Sequence, residues 1–235
     1  SYCYGIEAIN NLGNPAALIG HSLGEYTALC LSGYLDYKDA LKVIAVRGEE
    51  MHKAVENSNT TMAAVLTGDL EATIEEIEKL NNQGIQIWIS NFNDPSQIVI
   101  SSYIDDMNYL KSNPKALGAK RVIPLEVAGA FHTEIVSSAK KPLEDTLNSI
   151  DISEGKIPVY MNVDAKKVEV STLKESLVNQ IDNSVLFNQQ IEFVNNDIDP
   201  DLWCHIGPGN VTAGMVRKSI SYKDLKVINS LESSK

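Results

Sequence analysis

Residues 14–33, NPAALIGHSLGEYTALCLSG, restrict the fold more than any other segment. Ala16-Ala17-Leu18-Ile19 is a short apolar run that reads as a buried strand, and the apolar-rich run after Ser22 reads as a helix that stops at Gly33. Gly20-His21-Ser22-Leu23-Gly24 joins the two. A strand, G-x-S-x-G and a helix in succession make a tight turn. That turn stands the serine hydroxyl above the end of a sheet, at a helix N-terminus where orphan N–H groups favour negative charge. Ser22 is the candidate nucleophile.

Patterning along the chain extends this into an alternation of strands and helices. Residues 1–10 read as the end of a helix and 11–15 as a loop. Residues 34–55 read as a helix with Asp36 as N-cap and Leu41, Ile44, Ala45, Met51 and Val55 on an apolar stripe. Residues 62–127 change character. MAAVLTG is a strand, DLEATIEEIEKLNN an amphipathic helix, and IQIWISNFN and QIVIS are strands joined by the turn Asp94-Pro95-Ser96. YIDDMNYLKSNPKALG is broken-helical and KRVIPLEV a final strand. That β-α-β-β-α-β order is ferredoxin-like. A helix (133–149), a strand (157–162), a helix (172–181), a helix near 186–195 and the strand LWCHIG follow. The expected fold is α/β, with a parallel-sheet core covered on both faces from residues 1–60 and 128–235 and a ferredoxin-like subdomain inserted at 61–127. At 235 residues and 43% hydrophobic, the chain can bury one core and a smaller subdomain.

Composition narrows the chemistry. No apolar run approaches the ~20 residues of a membrane span, and no signal-peptide pattern is present, so a cytoplasmic protein is expected. Cys3, Cys30 and Cys204 are scattered without C-x-x-C and are expected to be small buried hydrophobes in a reducing compartment. A formal charge of -11 argues against general nucleic-acid binding, and an anionic substrate would need a local basic patch.

A nucleophilic serine needs a base, and the chain has 4 histidines. His21 adjoins Ser22 and should point away from the hydroxyl; His52 lies on a charged helical stretch and reads as a surface residue. The choice is between His132, in VAGAFHTEI, and His205, in LWCHIGPG. The usual α/β-hydrolase order of Ser, acid, His favours His205, with Asp164 or Asp182 as the orienting acid. Periodicity does not separate the two.

Several further segments carry a resemblance. GHSLGEY, RGEEM, NFNDPSQIVIS, GAFH, PVYMNVDAK, NQIDNSVLF and HIGPGNV occur in this order. Together they resemble the malonyl-CoA:acyl carrier protein transacylases, the acyltransferase family of fatty-acid and polyketide synthesis, across nearly the whole chain. The resemblance implies that His132 is the base and that the main-chain carbonyl of Gln180, rather than a carboxylate, orients it. His205 then becomes structural. It implies that Arg47 grips the free carboxylate of a malonyl group, for which a guanidinium fork is suited. Without the resemblance, a snorkelling or surface-paired arginine is the plainer reading of that position. Met51, Phe131, Gln97 and Asn93 are implied to line the substrate site, Phe131 crowding the place of a 2-methyl branch. Lys115, Lys120 and Arg121 cluster near the end of the insert, Arg121 matching a family position near the entrance, and two readings stay open: a docking site for coenzyme A phosphates and the acidic carrier, or a solvated basic face.

The implied reaction is a ping-pong transfer of malonyl from malonyl-CoA, through a Ser22 ester, to the phosphopantetheine thiol of an acyl carrier protein. Neither a metal nor a bound cofactor is implied; a coenzyme A thioester is the substrate, with no nucleic-acid or membrane partner. One departure stands out. The family opens with a strand ending in G-Q-G-S-Q that supplies an oxyanion N–H, and this sequence contains no such motif. Leu23 N–H is then the one expected donor, and loss of the other typically costs ~10²–10³ in turnover. The alternatives left open are a discrete polyketide-synthase acyltransferase, an inactive carrier-binding fragment and an ordinary esterase.

Overall fold

Capping side chains and one left-handed glycine set the helices that carry the candidate site. The computed structural model describes residues 1–221 and 223–230. Helix α1 (Tyr2–Leu12) precedes strand β1 (Leu18–Ile19) and helix α2 (Leu23–Ser32), which Gly33 ends at φ 91°. Helix α3 (Tyr37–Val55) starts where the Asp36 carboxylate accepts the N–H groups of Lys38 and Asp39, as its sequence predicts.

Strand β2 (Thr60–Leu66), helix α4 (Leu70–Asn82), strands β3 (Ile87–Asp94) and β4 (Gln97–Tyr103), helix α5 (Ile104–Ser112) and strand β5 (Arg121–Pro124) form the inserted unit. Its sheet order is β3-β4-β2-β5 and every pair is antiparallel, which is the ferredoxin-like arrangement. Ala63, Val65, Ile98 and Ile100 face Ile77 and Leu80 of α4 and Met107 and Leu110 of α5, so both helices cover one face. The outer edge of β3 is covered rather than exposed: Phe92 N–H donates to Val185 O at 2.9 Å and Val185 N–H to Ser90 O at 2.9 Å. That edge contact docks the insert onto the main body.

The main body continues with helix α6 (Lys140–Asn148), strand β6 (Val159–Tyr160), helices α7 (Val170–Asn179) and α8 (Phe187–Ile198), strand β7 (Leu202–Ile206), helix α9 (Val211–Ser219) and strand β8 (Asp224–Ile228). Its strands pair in parallel, β1 with β6 and β7 with β8. Successive residues serve opposite faces. Leu18 and Val159 join the core formed with α2, α3, α6 and α7, whereas Ile19 and Tyr160 join the core formed with α8 and α9. The expected single parallel sheet appears among the described residues as two parallel pairs. Ile19 and Gly20 on one side and Trp203 and Ile206 on the other line a cavity of about 560 Å³ between them.

Other boundaries differ for local reasons. The helix expected over 133–149 is a 3-10 turn, Glu134–Ala139, followed by α6. Strand β6 is shorter than 157–162 because Pro158 has no N–H to give to a ladder, although its carbonyl accepts from Leu18 N–H at 2.8 Å. Cys3 and Cys204 are exposed and Cys30 is half-buried, so the cysteines are not the buried hydrophobes expected; all are free thiols. Among the described residues, no helix is long and apolar enough to cross a membrane.

Candidate active site

The turn between β1 and α2 is strained and held. Ser22 has φ 51° and ψ -107°, a region that non-glycine residues rarely occupy. Of the two flanking glycines, only Gly20 is required by space: a Cβ there would stand 2.1 Å from the Gly24 carbonyl carbon, whereas one on Gly24 would meet nothing within 4 Å. Asn162 holds the turn from the other side. Its Oδ1 accepts Ser22 N–H at 2.8 Å and its Nδ2 donates to Gly20 O at 2.6 Å. Leu23 opens α2 directly after Ser22, where the first N–H groups have no partner within the helix.

His132 reaches the nucleophile across the chain. Its Nε2 lies 2.7 Å from Ser22 Oγ, and its Nδ1 lies 2.8 Å from Gln180 O. A carbonyl only accepts, so Nδ1 carries the hydrogen and Nε2 is left to accept the serine proton. Gln180 caps the C-terminus of α7, where carbonyls are orphaned and the helix dipole favours positive charge. Burial lowers the His132 pKa to about 3; the Arg47 charge pushes the same way and the Gln180 bond opposes it. The imidazole is neutral at physiological pH. His132 itself sits at φ 59°, a second strained residue opposite the first.

The other histidines and the candidate acids lie elsewhere. His205 Nδ1 pairs with Thr212 Oγ1 at 2.6 Å. Asp182 accepts from Lys140 and Ser137, each at 3.0 Å, and Asp164 accepts Lys166 N–H at 3.0 Å. His52 is exposed on α3. His21 turns away from the hydroxyl, with Nε2 2.9 Å from Asn93 Oδ1 and its ring edge-on to Phe187.

Arg47 is 7% exposed and points into the site, which rules out the snorkelling reading. Its Nη2 donates to Ser22 Oγ at 2.9 Å and to Gln180 Oε1 at 2.9 Å, and its guanidinium lies over the Tyr26 ring at 5.7 Å. Its Nε is buried with no hydrogen-bond partner among the described residues. Met51, one turn further along α3, is buried in the core, with Phe131 packed half-buried against the same cluster. Asn93 Nδ2 donates to Gln97 Oε1 at 2.8 Å, extending the His21 contact into the hairpin of the insert. Gln97 and Arg121 both stand opposite Leu66, on either side of β2, so Arg121 sits at the same end of the small sheet. Lys115, Lys120 and Arg121 are all exposed.

Two residues at the centre of this arrangement were missed from sequence: Asn162 and Glu25. Glu25 is wholly buried, and its carboxyl accepts Asn162 N–H and Gln180 Nε2, each at 2.5 Å. Burial pushes its pKa up to about 8 against the pull of those two donors and of Arg47. A charged residue inside the apolar helical run after Ser22 is the signal that could have pointed to Glu25.

Residues 4–232 match the family described as the acyl transferase domain. The chain is 38% identical over 205 residues to the malonyl CoA-acyl carrier protein transacylase of Bacillus subtilis (strain 168), covering 87% of this chain and 64% of that protein. It is 34% identical over 231 residues to the enzyme of the same name from Staphylococcus aureus (strain MRSA252), covering 98% of this chain and 74% of that one. Among solved structures, a malonyl-transacylase in complex with the holo acyl carrier protein of a type II polyketide synthase superposes with a TM-score of 0.89 at 28% identity, covering 99% of this chain and 77% of that one. The chain thus spans just under two thirds of the Bacillus relative and about three quarters of the other two. It belongs to the acyl transferase domain family, with an α/β-hydrolase-like core and a ferredoxin-like subdomain.

Proposed function

We propose that the protein transfers malonyl groups from malonyl-CoA to the phosphopantetheine thiol of an acyl carrier protein, in fatty-acid biosynthesis. The single observation that carries this reading is Ser22 Oγ lying between an acceptor, His132 Nε2 at 2.7 Å, and a cation, Arg47 Nη2 at 2.9 Å.

In the first half-reaction Ser22 Oγ attacks the thioester carbonyl as its proton passes to His132 Nε2. Leu23 N–H faces the developing oxyanion, and Gln180 O steadies the imidazolium through Nδ1. Collapse breaks the C–S bond, and His132 returns the proton to the departing coenzyme A thiolate. In the second half-reaction His132 takes the proton of the carrier thiol, the thiolate attacks the malonyl ester, and Ser22 leaves with the proton. A thioester is easier to cleave than an amide, so a neutral carbonyl in place of a carboxylate suffices to orient the base. Nucleophile and base do this chemistry without a metal or bound cofactor.

Arg47 sets the acyl preference. A malonyl group on Ser22 brings its free carboxylate to the guanidinium, and the unpartnered Nε completes a fork with Nη2. Phe131, beside the base, disfavours a branched acyl chain; Asn93, Gln97 and Met51 close the pocket. Lys115, Lys120 and Arg121 provide the local positive charge that an anionic thioester and an acidic carrier need on a chain of formal charge -11. Three free thiols suit a reducing compartment, which supports a cytoplasmic reaction.

A chase experiment tests the reading. Protein loaded with radiolabelled malonyl-CoA and freed of excess should pass its label to holo acyl carrier protein and not to the apo form. Label appearing as free malonate at the same rate with and without carrier would make the protein a thioesterase.

A further inference from the structure

Gln180 is wholly buried and touches every part of the site. Its main-chain carbonyl accepts from His132 Nδ1, its Oε1 accepts from Arg47 Nη2, and its Nε2 donates to Ser22 O at 3.0 Å. An amide side chain does this in only one of its two orientations, because a flip exchanges acceptor for donor. Arg47 offers only donors, so a flipped Gln180 would set N–H against N–H and release the guanidinium.

The group that holds the amide on its other side is Glu25. One carboxyl oxygen accepts Gln180 Nε2 at 2.5 Å and the other accepts Asn162 N–H at 2.5 Å. Asn162 in turn grips the main chain of Ser22 and Gly20. Glu25 lies on α2, one helical turn after the nucleophile, and no hydrogen bond joins it to Ser22 Oγ or to the His132 ring. We propose that Glu25 is a positioning residue: it locks Gln180 in the orientation that holds His132 and Arg47 together, and ties both to the helix that carries Ser22. The proposal rests on the Ser22–His132–Arg47 reading above.

The chemistry calls for a carboxyl group at this position. Both neighbours are donors, and a carboxyl group presents an acceptor to each, whereas a glutamine would turn one NH₂ toward a donor. Burying an acid is itself unfavourable for folding, so what an amide loses in pairing at this position is offset in part by the acid's burial cost that it avoids. Stability and reactivity should therefore separate on substitution.

The test compares wild type with E25Q in three ways: thermal midpoint, the rate of Ser22 labelling by a neutral fluorophosphonate, and the rates of malonyl and acetyl loading from their coenzyme A thioesters. The fluorophosphonate reports the Ser22–His132 pair whatever the acyl substrate; the malonyl-to-acetyl ratio reports Arg47. E25Q should keep its midpoint to within about 4 °C. Misplacement of groups by fractions of an ångström should slow both labelling and malonyl loading by at least about tenfold and lower the ratio. E25D, one methylene too short to span both donors, should fall between the two and carries the same test if E25Q does not fold. A folded variant that labels and loads at wild-type rates with an unchanged ratio overturns the proposal. Wild type that labels but loads no malonyl refutes the substrate reading instead, and the labelling comparison still decides the role of Glu25.

Discussion

Arg47 Nη2 rests 2.9 Å from Ser22 Oγ, so the guanidinium occupies the nucleophile before any substrate arrives. An arginine stationed there favours an acyl group that brings its own anion. Hydrogen bonds to charged groups are worth roughly 1.5–3 kcal/mol, and truncating one partner can cost more. Arg47→Ala should cut malonyl loading at least about tenfold and leave acetyl loading unchanged or faster. Arg47→Lys, with the charge but not the fork, should rescue only part. A malonyl-to-acetyl ratio that stays constant across the three proteins would make Arg47 structural.

The pH behaviour should be unusual for a histidine base. With its pKa lowered to about 3, His132 is already neutral in the free protein across the ordinary range. The kcat/KM profile, which reports the free enzyme, should therefore lack the rising limb near pH 6.5 of an unperturbed imidazole. Stability carries the same signature. Unfolded His132 takes up a proton as pH falls below 6.5 and the folded form does not, so its contribution is present above 6.5 and lost on the way down to about 3. Glu25 works in the opposite sense: raised from 4.5 to about 8, it contributes stability at low pH that is lost as pH climbs through 8. E25Q should remove that slope from a Tm-against-pH curve between about pH 4.5 and 8 and leave the curve above pH 8 unchanged in slope.

The two candidate bases separate by kind of defect. His132→Ala should lower transfer by several orders of magnitude, since it removes the group 2.7 Å from Ser22 Oγ. His205→Ala removes the contact from β7 to Thr212 of α9 and should act on the melting temperature while the rate per folded molecule holds. Rate assays corrected for folded fraction decide, and the reverse ranking contradicts the assignment.

Asn162→Ala should damage the turn rather than the chemistry. It strips partners from Ser22 N–H and Gly20 O, and buried polar groups left unpaired cost about 1–3 kcal/mol each. A fall in Tm of several degrees should accompany slower fluorophosphonate labelling. A variant that melts with wild type would show that the strained φ of Ser22 holds itself.

Legibility in the sequence followed the range of each interaction. The turn at Gly20–Gly24 and the β-α-β-β-α-β order of the insert depend on neighbouring residues and local periodicity, and both were readable. The pairing of His132 with Ser22 spans 110 residues and rests on His132 adopting φ 59°, which no local pattern encodes. Only resemblance distinguished His132 from His205. Glu25 and Asn162 escaped for a related reason. Their meaning lies in what surrounds them once buried: the charge of Glu25 stands out in an apolar helical run but does not name its partners, and Asn162 reads as a loop asparagine. The separation of β1–β6 from β7–β8 also depends on tertiary contacts, and α9 and β8 lay beyond the last element read from the pattern.

The central claim is that Ser22 becomes covalently malonylated, and intact-protein mass spectrometry of an acid-quenched mixture with malonyl-CoA tests it most directly. The account predicts a single added malonyl group, located by peptide mapping at Ser22, absent from Ser22→Ala and displaced by holo acyl carrier protein. An unmodified wild-type mass, or an adduct that persists in Ser22→Ala, would contradict it.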